Sequence, residues 1–471
     1  MSFVIFTNGL LLLGMGALMG LTAALFPDSS GVFIESAILT FFIGACLTLV
    51  SSSGRHRLRR LHSFALTGSV WITAAAAGAL PLWVWDLSFT DAFFESMSGI
   101  TTTGSTVMTG LDSTEHGILL WRAILQWFGG VGFIVAGIAL LPIMRIGGMQ
   151  LFRTESSERG DKEFASAARF ASATIWVYAA LTALCAFCYI SGGMTGFEAI
   201  VHAFTTLSTG GYSTSDSSFG LFESAYLQWT ATGFMLAGAL PFAWYLRVLN
   251  RGVIRSEQVQ GLVVMLAVVI LGLTLWRVAT SETPFFEALR LVAFNVVSVV
   301  TTTGYATADY TTWGPFAVTA FFFLTAVGGC TGSTAGGAKM MRWIVLVRSI
   351  RSQMGRLHSP SGIFPTRYEQ KALKQDVLDG VMTFFTFYLV TIMVLGAALS
   401  LFDLGVSTSI SGAITAVANV GPGVGPVIGP AGNFSTLPDG AKWLLSFGMY
   451  VGRLEMLTVY VLLFPAFWRA A

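Results

Sequence analysis

Four times along this chain of 471 residues, a short string built on glycine and small side chains breaks into apolar sequence. The strings are Thr101-Thr102-Thr103-Gly104-Ser105, Leu207-Ser208-Thr209-Gly210-Gly211, Thr301-Thr302-Thr303-Gly304-Tyr305 and the most divergent, Ala418-Asn419-Val420-Gly421-Pro422. Gly104, Gly210, Gly304 and Gly421 are separated by 106, 94 and 117 residues, the period of a repeated supersecondary unit. One Thr-Thr-Thr-Gly string is an ordinary turn. Four of them, each after a short apolar segment and between two long ones, ask for a shared explanation.

The solvent narrows that explanation. Hydrophobic residues make up 54% of the chain and charged ones only 11%, against about 25% in soluble domains, and the mean hydropathy is +0.72. The chain therefore reads as a polytopic membrane protein. In a bilayer, backbone without regular structure cannot face lipid, because each unsatisfied N–H or C=O is costly there; it is tolerated where it is buried in protein or lines water. Four such segments at membrane depth imply a shared wet axis. Rings of backbone carbonyls can replace the hydration shell of a monovalent cation, glycine permits the turns that aim successive carbonyls inward, and threonine stiffens the approach while offering a hydroxyl.

Runs of about 20 apolar residues mark the spans. Residues 1–52 hold two spans around Pro27-Asp28-Ser29-Ser30-Gly31, an uncleaved hairpin because no basic start precedes the long apolar run. Four units follow at 61–143, 168–248, 257–350 and 375–471, each reading as span, short pore segment ending in the glycine string, and returning span. The returning spans are expected at 119–141, 227–246, from Pro315 onward and at 443–467. The predicted fold is all-α: two N-terminal spans, then four pseudo-fourfold span–pore helix–span repeats around a central pore. Charge tests this topology. Of 26 lysines and arginines, 21 fall on the predicted cytoplasmic side, including Arg55, Arg57, Arg59, Arg145, Arg153, Arg159 and the loop from Arg348 to Lys374. The positive-inside rule then puts both termini in the cytoplasm. Arg122, Arg277, Arg290, Lys442 and Arg453 are left over. The acidic residues gather at the outer side, as helix caps or as a cation-concentrating mouth. The net charge of +2 says little, and no nucleic-acid partner is expected.

The third returning span is interrupted by Gly328-Gly329-Cys330-Thr331-Gly332-Ser333-Thr334-Ala335-Gly336-Gly337. It is not a phosphate-binding loop, since Ala338 separates Gly337 from Lys339 and the Gly-Lys-Ser/Thr ending is missing. Close packing through small residues is one reading, and a broken segment that gates the pore, through Gly328, Gly329, Gly332, Gly336 and Gly337, is the other. Arg453 lies near the middle of the predicted last span, where a charge costs at least about 2.5 to 3.5 kcal/mol. Glu455, two residues on, points elsewhere and is no easy local partner. Glu95, His202 and Asn295 sit on the pore segments and read as residues that satisfy buried backbone. Cys46, Cys185, Cys188 and Cys330 read as packing residues, without the cluster a metal site needs. No nucleophile–base set suggests an enzyme.

At these strings the whole chain resembles the Trk/Ktr superfamily of bacterial potassium uptake proteins, in particular its TrkH-type membrane subunits. Thr-Thr-Thr-Gly, Ser-Thr-Gly-Gly-Tyr, Asn-Val-Gly-Pro-Gly and the extra hairpin carry the likeness. The resemblance implies a potassium filter at Thr102, Thr103, Gly104, Ser208, Thr209, Gly210, Thr302, Thr303, Gly304, Asn419, Val420 and Gly421, with potassium as the transported ion and no nucleotide site in this chain. It also implies an intramembrane gate loop at 328–337 and an arginine under the filter, Arg453, as a barrier to cations. Glycine in every quarter is similar to the potassium-selective members rather than to sodium-favouring relatives with serine in the first quarter. A homodimer in the bacterial inner membrane and a cytosolic TrkA-type nucleotide-binding regulatory subunit, facing the basic loops, follow from the same likeness; those loops also suit anionic lipid. The alternative is a sodium-permeable or ion-coupled secondary transporter, although such transporters are commonly built from inverted pairs rather than four same-handed repeats.

Overall fold

The computed structural model describes residues 2–52, 60–139 and 162–469. The predicted cytoplasmic residues Arg55, Arg57, Arg59, Arg145, Arg153 and Arg159, with residues 140–143 of the first repeat, lie outside the described residues.

Helices α1 (Ser2–Leu25) and α2 (Ser30–Ser51) form the expected hairpin around a turn that begins at Pro27. Glycine sets how closely they approach. A Cβ on Gly44 would stand 3.0 Å from the Gly9 carbonyl, so the two backbones touch, as small residues permit between membrane helices. Asn8 Nδ2 donates to Ser69 Oγ at 2.8 Å, and Phe33 meets Trp121 edge to face at 5.8 Å. Both contacts fix the hairpin to the first repeat.

The same sequence of elements then recurs. Long helices α3 (Arg60–Trp85), α6 (Lys162–Ser191), α10 (Glu257–Thr280) and α14 (Gln375–Ser400) are each followed by a short one: α4 (Phe89–Ile100), α7 (Gly196–Leu207), α11 (Phe285–Val300) and α15 (Val406–Ala418). At 12 to 16 residues and about 1.5 Å per residue, the short helices reach only part-way through a hydrocarbon core of about 30 Å. Their starts are capped from the sequence. Ser88 accepts from Asp91 N, and Thr195 and Glu198 form a capping box. Their C-terminal halves are buried on every side, whereas the long helices leave Phe42, Trp176, Val264, Val268 and Val394 exposed, as lipid-facing surfaces do.

The returning segments depart from expectation. Among the described residues, seven helices are long and apolar enough to cross a membrane unbroken, among them α5 (His116–Ala139), which returns in the first repeat. The other three returning segments are each split in two, where the sequence suggested a single break in the third. In the second, α8 (Ala225–Ala239) and α9 (Phe242–Arg251) meet at 90° across Leu240-Pro241. Pro241 has no N–H to continue the ladder, and its ring would clash with the carbonyl four residues back. In the third, α12 (Pro315–Thr325) ends two residues before the expected Val327, and α13 (Met340–His358) resumes after the glycine loop. In the fourth, α16 (Asp439–Arg453) stops and α17 (Met456–Leu463) restarts around Glu455, at φ 63°, before a final turn α18 (Pro465–Arg469). Arg453 is thus the last residue of a helix rather than the middle of one.

Two large apolar cores result. One joins the hairpin to the first and fourth repeats, the other the second to the third. On the face that carries the basic loop, a two-residue antiparallel ribbon, β1 (Arg367–Tyr368) and β2 (Lys371–Ala372), is the one sheet among the described residues. Glu369 at its tip accepts from Glu257 N at 2.9 Å, and Arg348 pairs with Glu257, so this loop is docked on the start of α10.

Candidate functional site

Each short helix ends in the same backbone turn. Thr102, Thr209, Thr302 and Asn419 lie in the left-handed region, at φ 53°, 53°, 60° and 55°. Asparagine tolerates that region, but for a β-branched threonine it is a strained outlier, held only when the surroundings over-determine it. The next residue in every quarter, Thr103, Gly210, Thr303 or Val420, donates its N–H back to the carbonyl of Ser98, Thr205, Ser298 or Thr415. Gly104, Gly211 and Gly304 follow at φ 85°, 75° and 82°.

This pattern corrects the register of the second quarter. The sequence spacing aligned Ser208, Thr209 and Gly210 with Thr102, Thr103 and Gly104. In the backbone the equivalents are Thr209, Gly210 and Gly211, and Ser208 corresponds to Thr101. Gly210 and Gly211 both donate to Thr205 O, just as Thr303 and Gly304 both donate to Ser298 O. Two consecutive glycines offered two registers, and the left-handed turn selects the later one.

The four turns close on one another in chain order. A methyl group on Gly104 would strike the carbonyl of Gly210; one on Gly211, the carbonyl of Thr303; and one on Gly304, the backbone of Gly421, while one on Gly421 would sit tightly at 3.1 Å from the carbonyl of Gly104. Glycine at 104, 211 and 304 lets these backbones meet. Side chains lock the ring between quarters: Ser105 Oγ donates to Gly421 O at 2.8 Å, Asn419 Nδ2 to Thr103 Oγ1 at 3.1 Å, and Tyr212 Oη to Glu95 O at 2.7 Å. Gln126 Nε2 donates to Gly210 O at 2.7 Å while its Oε1 accepts from Tyr212 N at 3.1 Å.

Behind the ring, one polar side chain on each of the first three pore helices braces the segment that climbs away from the turn. Glu95 accepts from Val107 N at 2.9 Å, Asn295 accepts from Thr307 N at 3.3 Å and donates to Thr307 Oγ1 at 3.0 Å, and His202 Nε2 lies 3.2 Å from Ser213 Oγ. Sequence reading gave these three that satisfying role. It missed Arg122, buried on α5, whose Nε donates to Glu95 at 2.8 Å and whose Nη1 reaches Ser213 O at 3.1 Å while the guanidinium stacks on Tyr212. Arg122 and Gln126 were visible as polar residues in an apolar span, which is itself a signal of function or pairing. Lys442, also left over by charge counting, pairs with Asp91 at 2.6 Å between the first and fourth quarters.

The glycine loop of the third repeat lies directly against the turns. Gly336 N donates to Thr302 Oγ1 at 2.7 Å, Gly337 N to Ala418 O at 2.9 Å, and the Thr209 and Thr334 hydroxyls meet at 3.2 Å. The break at Pro241 explains what holds the loop there. It frees the carbonyls of Gly238 and Ala239, which accept from Thr334 N at 3.2 Å and Cys330 N at 2.9 Å. The loop closes on itself as well, with Lys339 N donating to Val327 O at 3.0 Å and Met340 N to Gly329 O at 2.9 Å.

Arg453 is buried against this loop. Its Nη1 donates to Thr334 O at 2.8 Å, its Nη2 to Gly129 O at 3.3 Å, and its guanidinium stacks on Phe133 at 4.3 Å, a ring that Lys339 Nζ also approaches at 4.3 Å. Glu455 does point elsewhere, accepting from Arg342 Nη2 at 2.7 Å. Between Arg453, Asn419, Gly336, Gly337 and Phe133 lies a cavity of about 10 Å³, room for about one water molecule. The loop and two cations therefore pack directly below the ring.

Residues 29–469 match the TrkH family, described as a cation transport protein. The chain is 50% identical over 418 residues, 88% of this chain and 85% of the relative, to the Trk system potassium uptake protein TrkI of Halomonas elongata. It is 36% identical to the Trk system potassium uptake protein TrkH of the same organism, over 95% of each chain. The crystal structure of the potassium transporter TrkH from Vibrio parahaemolyticus superposes with a TM-score of 0.91 at 31% identity, covering 99% of both chains.

Proposed function

This chain belongs to the TrkH family of cation transport proteins, and on that premise we propose that it takes up potassium by conduction through the axis on which its four turns converge. The observation that carries the pore reading is the repeated left-handed turn at Thr102, Thr209, Thr302 and Asn419, closed quarter to quarter by glycine. One left-handed position in four copies, strained at its three threonines, marks a functional device rather than a packing accident. Carbonyls of Thr102, Thr103 and Gly104, Thr209, Gly210 and Gly211, Thr302, Thr303 and Gly304, and Asn419, Val420 and Gly421 would take the place of the ion's water. Ser208 then supports the second quarter from below rather than coordinating. The division into a hairpin at 1–52 and repeats at 61–143, 168–248, 257–350 and 375–471 belongs to the same reading.

The membrane potential drives entry with about 2.3 kcal/mol per charge per 100 mV, so neither a nucleotide site nor an enzymatic step is needed in this chain. Loop 328–337 is the gate, and Arg453 beneath the ring is the barrier a cation meets while the gate is shut; the small cavity between them supports that assignment. The chain works in the bacterial inner membrane with both termini inside. A homodimer is the assembly, and the exposed Arg351, Arg356, Arg367, Lys371 and Lys374 form a face suited to a cytosolic TrkA-type subunit, which would supply the nucleotide response.

Growth rescue tests the whole reading. A bacterium deficient in potassium uptake, given this chain with a TrkA-type partner, grows at low potassium. No rescue with or without the partner, while the protein is found inserted in the membrane, overturns the proposal. Rescue that sodium competes away would favour the sodium-permeable alternative.

A further inference from the structure

The four left-handed residues share one rank in the ring, and each carries a side-chain oxygen. Two of those oxygens touch the loop: Thr302 Oγ1 accepts from Gly336 N at 2.7 Å, and the Thr209 hydroxyl, which donates to Ser208 O at 2.7 Å, also lies 3.2 Å from that of Thr334. The other two are engaged by nothing. Thr102 Oγ1 and Asn419 Oδ1 are buried and have no hydrogen-bond partner among the described residues. The amide of Asn419 has no freedom to hide its oxygen, since Nδ2 is held by Thr103 Oγ1 at 3.1 Å and Met449 O at 2.9 Å. Asn419 also lines the small cavity with Gly336, Gly337 and Arg453. A buried acceptor without a donor is destabilising, and two at the same rank of a four-part ring call for a ligand.

We propose that Thr102 Oγ1, Thr209 Oγ1, Thr302 Oγ1 and Asn419 Oδ1 form the innermost site for the transported monovalent cation, and that the loop is a competitive cap which holds two of the four ligands. This rests on the pore reading above and adds a coupling to it. The closed loop and the complete site exclude each other, so a cation arriving from the ring favours release of the loop, and release of the loop tightens the site by the same factor. At potassium ten times above the dissociation constant of the complete site, the open population rises about tenfold. Quarters two and three act as the latch, and quarters one and four as the waiting half of the site.

Cys330 supplies the readout, because it is buried in the loop with its N–H on Ala239 O. In full-length protein in liposomes with Cys46, Cys185 and Cys188 changed to alanine, the rate at which a soluble maleimide labels Cys330 reports loop opening. We expect labelling about tenfold faster in saturating potassium chloride than in choline chloride. Thr102→Val removes that acceleration, Thr302→Val labels fast in both salts because the latch is gone, and Thr302→Ser restores the potassium dependence. The serine variant separates lost chemistry from a damaged fold. Equal rates in the two salts for the otherwise unaltered chain, or acceleration that survives Thr102→Val, overturns the cap. Rubidium uptake by the same liposomes keeps the two readings apart: uptake with no cation-dependent labelling sinks the cap alone, and absence of uptake sinks the pore reading beneath it.

Discussion

Above the ring, buried ion pairs tie the pore helices to their neighbours; below it, the chain is broken three times and its loop is held by backbone and hydroxyl hydrogen bonds. The outer half holds Glu95, which accepts from Val107 N and Thr106 and pairs with Arg122, together with the Lys442–Asp91 pair across the first and fourth quarters. The inner half holds the Pro241 bend, the glycine loop and the Glu455 break, with non-glycine residues Lys339 and Glu455 at φ 70° and 63°. Its closed form depends on contacts such as Gly336 N to Thr302 Oγ1, each worth about 1 kcal/mol net. Selecting an ion needs a fixed geometry, and admitting it needs an alternative one. The difference teaches that this fold keeps the two requirements apart in depth, on opposite sides of the same four turns.

The largest expected effect falls on the outer half. Glu95→Ala leaves Arg122 buried without its carboxylate, at a cost of about 3 to 5 kcal/mol, and should sharply lower the thermal unfolding temperature and yield. A Glu95→Gln, Arg122→Gln double variant should recover part of both. If Glu95→Ala unfolds like the parent protein, the outer half is not the rigid one.

Next comes the ring itself. Gly211→Ala places a methyl group against the Thr303 carbonyl in a left-handed conformation, adding about 1 to 3 kcal/mol of backbone strain besides the clash. It should abolish potassium uptake while leaving detectable folded protein. Gly210→Ala meets the Gln126 amide rather than backbone and should lower uptake less than Gly211→Ala; the reverse order would restore the register that spacing alone suggested.

Below the ring the effects should appear in flux rather than in unfolding. Arg453→Ala removes a buried positive charge facing the path, a barrier of about 1 to 2 kcal/mol, so conduction in liposomes should rise roughly tenfold. Unchanged flux would remove Arg453 from the gate. The smallest effect is expected of Pro241→Ala. If the helix continues, it reclaims carbonyls that now hold Cys330 N and Thr334 N, a loss of about 1 kcal/mol per bond to the loop. Amide hydrogen exchange across 328–338 should then speed up several-fold while the pore helices exchange as before. Faster exchange in the pore helices too would erase the distinction between the halves.

Much of this was legible in the residues. The repeated glycine strings located all four turns, the run 328–337 located the principal break, and the spacing of Arg453 and Glu455 showed that they would not pair. Three things were not legible, each for a physical reason. Gly210-Gly211 supports two registers, and backbone strain, which composition does not display, decides between them. Pro241 and Glu455 mark breaks, yet a bilayer chain tolerates such residues within a span when neighbours satisfy the freed backbone, so a helix-length apolar run concealed them. The ties of Arg122 to Glu95 and Ser213, and of Gln126 to Gly210 and Tyr212, join positions 27 to 91 residues apart, and no local pattern reports such pairings.

The four turns are encoded separately within one chain. In a ring of identical subunits, any change of codon alters every wall at once, and an intermediate chemistry has no means of being sampled. Here one wall can drift while three hold station. The fourth differs in this way: Asn419 and Val420 stand where the first and third carry threonines, and the asparagine amide reaches across to Thr103 Oγ1. Adaptation of such a pore can proceed in quarter steps, each one visible to selection before the next is taken.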